Sequence, residues 1–231
     1  MILFRCSTFY HVINTINIKV NLLPKEEIIL VLNSDSNFKP LISKLRDCNL
    51  FSKIICSSLK TPDMNEFWYS DSEKRETILE NPLEYLNKLE GCDIFEKYSL
   101  QKITDIYFGM DFPYISLLYY AMVGKGVVPE LHVFDEGSAS YALEIKPWLN
   151  RSGFQHETYG DASILKHFKE VLLYEPDLAV ANRDFCKINP IPKINSNTVL
   201  KKIYNSIWGV PDLPKQKYIF FEGGRAADGL P

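Results

Sequence analysis

Three observations predict a doubly wound α/β fold for these 231 residues. Short continuous runs of Ile, Leu, Val and Phe recur, as in "EEIILVLN" (26–33). Strands buried on both faces of a parallel sheet read this way. Segments with helical spacing separate these runs, giving a strand–helix–strand rhythm. Hydrophobic residues make up 46% of the chain, enough for a sizeable core.

Taken in order, "ILFRCS" (2–7) is the first apolar run, and a helical pattern follows from Thr8 to about Leu23. Residues 26–33 are the clearest strand, bounded by charge and by Asn33-Ser34-Asp35. Leu41, Ile42 and Leu45 give 38–49 its helical spacing, and "SKIICSS" (52–58) is the third strand. The rhythm breaks at 59–100, a charged and aromatic stretch read as a helical insertion over the sheet. It resumes with a strand at 103–109, an apolar helix at 113–124 ending on Gly124, and a strand and turn at 129–137. Residues 168–180 read as a last short strand with an irregular exit. Residues 184–217 are rich in proline and asparagine, with one helical stretch, and read as a linker. "YIFFEGG" (218–224) looks like the opening strand of another domain. The expected organisation is one domain over 1–183, a linker over 184–217, and the start of a second domain over 218–231.

Charged residues are 24% of the chain and the net charge is −3. No acidic or basic tail stands out, so neither nucleic acid nor an anionic membrane is indicated as a partner. The cysteines Cys6, Cys48, Cys56, Cys92 and Cys186 are odd in number and contain no CxxC. They read as reduced, buried thiols of a cytosolic protein. The N-terminal stretch lacks the order of a signal peptide, and no window is clean enough to span a bilayer. Loose attachment to a membrane surface is left open. No GxGxxG, GxxxxGK[ST], HExxH or GxSxG occurs, so the usual dinucleotide, phosphate-loop, zinc-protease and hydrolase fingerprints are missing. The histidines have no metal-like spacing, and His132 and His167 read as packed or surface residues.

Ligands of open α/β sheets bind beyond the carboxyl ends of the strands. Three strand exits carry polar groups: "CSTFYH" (6–11), "FGMDFP" (108–113) and "FDEGSASY" (134–141). Asp135 and Glu136 stand side by side where a strand stops. Such a pair is either a helix cap or held there for general-base chemistry. Gly137 permits a tight turn. Ser138 and Ser140 are placed to cap the next helix, whose N-terminus would favour an anion.

"FDEGSASY", "CSTFYHVINTINI" and "KYIFFEGGRAADG" together resemble bacterial sialyltransferases. They are most similar to the lipooligosaccharide and capsule sialyltransferases of glycosyltransferase family 52, with the related polysialyltransferases behind. The resemblance implies a GT-B fold, two Rossmann-like domains facing across a cleft. It makes this chain the first domain, holding the acceptor and the catalytic base. The second domain would hold the CMP of the donor through a His-Pro motif. No His-Pro occurs in this sequence. Either the second domain is cut short near 217–231, leaving a fragment that transfers nothing alone, or the donor site departs from the family. The implied reaction is an inverting, metal-independent transfer of sialic acid from CMP-sialic acid to a galactoside, with no cofactor. Glu136 would be the base and Asp135 the residue that orients it. Gly137, Ser138, His11, Tyr10 and Asp111 would line the substrate site, and Trp68 and Tyr69 are candidates to stack on a sugar. The implied location is the cytoplasm, or the inner face of the membrane. Pairing of two copies is left open. Two alternatives stand: a GT-B transferase for another sugar nucleotide, and a non-catalytic α/β binding module in which the acidic triplet only caps a helix.

Overall fold

The computed structural model describes residues 1–33, 37–58, 72–147, 162–194 and 198–209. Seven strands form one sheet, all parallel. They are β1 (Ile2–Cys6), β2 (Ile28–Leu32), β3 (Lys53–Cys56), β4 (Asp105–Phe108), β5 (Glu130–Phe134), β6 (Phe168–Leu173) and β7 (Lys187–Pro190). Across the sheet they run β3-β2-β1-β4-β5-β6-β7. The chain winds outward from β1, crosses back, and winds outward from β4 in the other direction. This Rossmann-like order places a crevice beyond the carboxyl ends of β1 and β4, where the winding reverses.

Helices cover both faces. In chain order they are α1 (Phe9–Asn21), α2 (Lys39–Asp47), α3 (Ser72–Glu80), α4 (Pro82–Glu90), α5 (Ile94–Lys97), α6 (Phe112–Val123), the short α7 (Ser138–Ala142) and α8 (Thr198–Trp208). Side chains alternate across each strand, so β1 sends Phe4 to one face and Leu3 to the other. Phe4, Leu30 and Phe134 pack with Val12 and Ile16 of α1, Leu45 of α2 and Leu200 of α8. Leu3, Phe108 and Val133 pack with Leu86 of α4, Ile94 of α5 and Leu117 of α6. Both faces of the central strands are covered, which explains their unbroken apolar runs.

The helical stretch read as an insertion does structural work. Its described part, α3 to α5, lies on the crossover that carries the chain from edge strand β3 back to β4. It builds the layer on one face together with α6. Parallel strands need such a crossover. Trp68 and Tyr69 lie outside the described residues, as do 218–231.

The stretch read as a linker also differs from expectation. Residues 187–190 form the seventh strand, at the sheet edge, and 198–208 form α8. The α8 helix packs on α1 and α2, and Tyr204 donates to the carbonyl of Ile13 at 2.9 Å. "KINP" has no apolar run, and its proline is tolerated because an edge strand needs fewer ladder donors. Of the cysteines, which are all free, Cys6 is buried and Cys56 is exposed. Among the described residues no helix is long and apolar enough to cross a membrane.

His132 on β5 is packed, as its isolation in the sequence suggests, but between two carboxylates. Its Nδ1 lies 2.8 Å from Glu170 Oε1 on β6, and its Nε2 lies 2.9 Å from Asp105 Oδ1 on β4. The ring stacks on Tyr107 at 4.1 Å. Burial lowers the proton affinity of His132, and the bonds to Asp105 and Glu170 outweigh it, so its pKa lies above 6.5. Hydrogen bonding to His132 holds both carboxyls below their ordinary values. The imidazolium therefore stabilises the fold fully below pH 6.5 and loses that effect as pH rises through the raised folded value. Stability measured in denaturant should fall over this rise. His132→Gln should remove most of that slope, and equal slopes in the two proteins would exclude the paired imidazolium.

Candidate functional site

The three expected loops meet at the crevice. Thr8 starts α1 by accepting the His11 N–H on its side-chain oxygen at 3.2 Å, which fixes the β1 exit. Ser7 N–H donates to His11 Nδ1 at 3.1 Å. A ring nitrogen that accepts carries no hydrogen, so the N–H of the neutral ring lies on Nε2. That edge faces Glu136 Oε2 at 3.4 Å. The ring stands edge-on to Phe134, centroids 5.4 Å apart.

Glu136 is held by one oxygen. Its Oε2 accepts the Met110 N–H from the β4 exit at 2.7 Å. Its Oε1 has no hydrogen-bond or ion-pair partner among the described residues. The Glu136 side chain is 22% exposed, so this carboxylate is oriented yet reachable. Gly109 makes the arrangement possible. A Cβ there would stand 2.6 Å from His11 Cε1 and 2.7 Å from Glu136 Oε2. The site therefore needs a glycine for close approach rather than for backbone conformation.

Asp135 is different in kind. It is 2% exposed and its carboxylate accepts four hydrogen bonds. Oδ1 takes Tyr10 Oη–H at 3.3 Å and Gly137 N–H at 2.8 Å. Oδ2 takes Tyr141 Oη–H at 2.6 Å and Tyr174 N–H at 3.3 Å. Those four fill the lone pairs of a carboxylate. Its backbone carbonyl accepts Asn14 Nδ2–H at 2.5 Å, and Asn14 Oδ1 accepts from Tyr174 Oη at 2.8 Å. Burial and the Asp135 bond push the Tyr141 hydroxyl up to about 12, so it stays a donor. The two carboxylates thus bond to separate sets of partners.

Gly137 adopts φ +117°, a conformation suited to glycine. Capping differs from expectation. The α7 helix has five residues and no side-chain cap, and Ser138 is exposed on it. Ser140 instead accepts the Glu136 N–H within the turn at 2.9 Å. So short a helix offers little dipole to an anion. Tyr10 spends its hydroxyl on Asp135, while the residue is 38% exposed at the rim beside exposed Phe9. Asp111 accepts from Arg5 Nε at 2.7 Å.

Sequence reasoning passed over Arg5, Asn14, Gly109 and Tyr174. Arg5 carried a signal: a charged residue inside the apolar run "ILFRC" is informative when buried. Asn14 and Asn17 carried another, since with His11 they put polar groups at helical spacing on a buried face of α1. Gly109 and Tyr174 had no local signal.

No model of a known protein family matches the sequence, and no curated protein matches it.

Gly109→Ala should lower stability by about 1–3 kcal/mol, because the methyl group must displace the imidazole or the carboxylate. Thermal melts would show it, and a neutral effect would mean the crevice wall yields freely. Asp135→Ala should cost about 3 kcal/mol or more, since it orphans buried donors. Glu136→Ala should stay within about 1 kcal/mol. Equal losses in denaturant unfolding would overturn this division between a structural and a reachable carboxylate.

Proposed function

We propose that this chain supplies the acceptor-binding, base-bearing domain of an inverting GT-B sialyltransferase. The donor is CMP-sialic acid and the acceptor a galactoside of a capsule or lipooligosaccharide. The carrying observation is the asymmetry of the acidic pair. Glu136 is tethered through Oε2, its side chain is 22% exposed and Oε1 has no partner among the described residues, while every lone pair of Asp135 is taken. A general base needs orientation and access together. The donor follows from the resemblance of the three motifs to sialyltransferases, and the donor-binding motif of that family does not occur in this sequence.

In this reading the acceptor hydroxyl approaches Glu136 Oε1. Oε1 takes the hydroxyl proton as the acceptor oxygen attacks the anomeric carbon, and the bond from that carbon to the CMP oxygen breaks. CMP departs as a phosphate monoester. The carboxylate also stabilises the positive charge that develops on the ring in an oxocarbenium-like transition state. Met110 N–H and His11 Nε2–H keep Oε2 engaged and so direct Oε1 outward. Tyr10 and Phe9 offer an aromatic rim on which a sugar ring can rest. Asp135 sets the height of the loop.

The test is an assay of the complete gene product with CMP-sialic acid and lactose. Glu136→Gln should reduce kcat by about 10²–10⁴-fold with the melting temperature retained. Unchanged transfer in that variant removes Glu136 as the base and leaves the triplet as a turn. CMP should protect the protein against heat. Protection only by UDP or GDP would point to another sugar nucleotide.

A further inference from the structure

Arg5 is the least expected residue of the fold. It lies on the interior strand β1 and is 1% exposed. Its guanidinium sits under the first turn of α6, with Cζ 3.5 Å from the centroid of the Tyr114 ring. Of its five N–H donors, the Nε–H alone has a partner among the described residues, Asp111 Oδ2 at 2.7 Å. Nη1 is buried with no partner among the described residues. A buried cation ordinarily has its donors satisfied, because desolvation is costly and water is not there to repay it. An underbonded guanidinium at the crevice where ligands enter this fold is a receptor without its full complement of oxygens.

Asp111 is an odd counter-ion. It occupies the N-cap position of α6, yet its side chain makes no cap hydrogen bond. It turns to Arg5 instead and binds through one oxygen, where a carboxylate can bind an arginine through two. Asp111 is 21% exposed, so the place its carboxylate fills opens on solvent.

We propose that Arg5 is the floor of an oxyanion site between the ends of β1 and β4, and that Asp111 fills this site until a ligand carboxylate or phosphate replaces it. The ligand oxyanion takes the fork of Arg5, and Asp111 turns to the N-cap role its position allows. Tyr114 keeps the guanidinium flat beneath the incoming group.

The experiment follows the Arg5 Nε–Hε resonance of the ¹⁵N-labelled 231-residue chain, assigned by its loss in Arg5→Lys. The probes are N-acetylneuraminic acid and its methyl ester, and CMP and cytidine. The choice of the sugar acid and CMP rests on the proposed donor, so inorganic phosphate and acetate are titrated beside them as charged probes independent of it. A charged probe should move the resonance saturably, while its uncharged counterpart should not. A response to the sugar acid identifies a ligand carboxylate, and a response to CMP a phosphate. Asp111→Asn keeps an acceptor for Nε–H but removes the competing charge. It should bind the responding probe about tenfold more tightly, as expected when a self-occupied site is vacated. A purely structural ion pair would give no such gain. Silence toward the sugar acid and CMP with a saturable response to phosphate or acetate would count against the proposed donor alone, whereas silence toward all four charged probes, or equal or weaker binding in Asp111→Asn, would overturn the proposal.

Discussion

The geometry of the crevice depends on one buried carboxylate. Asp135 draws donors from α1, from its own turn, from α7 and from the exit of β6. A carboxylate removed from water demands full pairing, so these four segments cannot shift independently without leaving it short of a partner. The reachable Glu136 inherits its place from that constraint. A short peptide loop would let its side chain wander, whereas here the preceding residue is bolted to three other elements. Precision at the open group is thus provided by saturation at the closed one.

Two further buried charges show contrasting solutions. Glu90 on α4 accepts from the hydroxyls of Ser57, Ser58 and Tyr98, from the Ser58 N–H, and from Lys97 Nζ. Burial raises its proton affinity, and the bonds from Ser57, Tyr98 and Ser58 more than reverse this, holding the carboxyl at about 2. That knot fastens the helical crossover to the exit of β3. Arg5, at the same end of the sheet, has far fewer partners. Glu90 is paired on every side by its neighbours, whereas Arg5 keeps donors without a partner among the described residues.

Much of the fold was legible because both faces of the sheet are covered. Unbroken apolar runs such as 28–32 have no other comfortable setting, and the Gly124 stop and the Thr8 start mark helix ends by local chemistry. The convergence of loops 6–11, 108–113 and 134–141 was also legible, since strand exits of a parallel sheet share one rim. What escaped were features fixed by distant partners. β7 is four residues of mixed character that become a strand through pairing with β6. Tyr174 joins the site because β6 lies beside β5, a pairing that periodicity alone does not reveal. The partition of labour within Asp135-Glu136 depends on hydroxyl donors 6 and 125 residues away.

The placement of β1 has a bearing on how the chain acquires its structure. β1 precedes in the chain both of the strands that flank it, β2 and β4. Its arginine meets its counter-ion only across 106 positions of sequence. Until β4 pairs and α6 docks, that strand exposes one ladder edge and an uncovered cation. The interior of the sheet therefore closes through contacts distant in sequence, which slows folding.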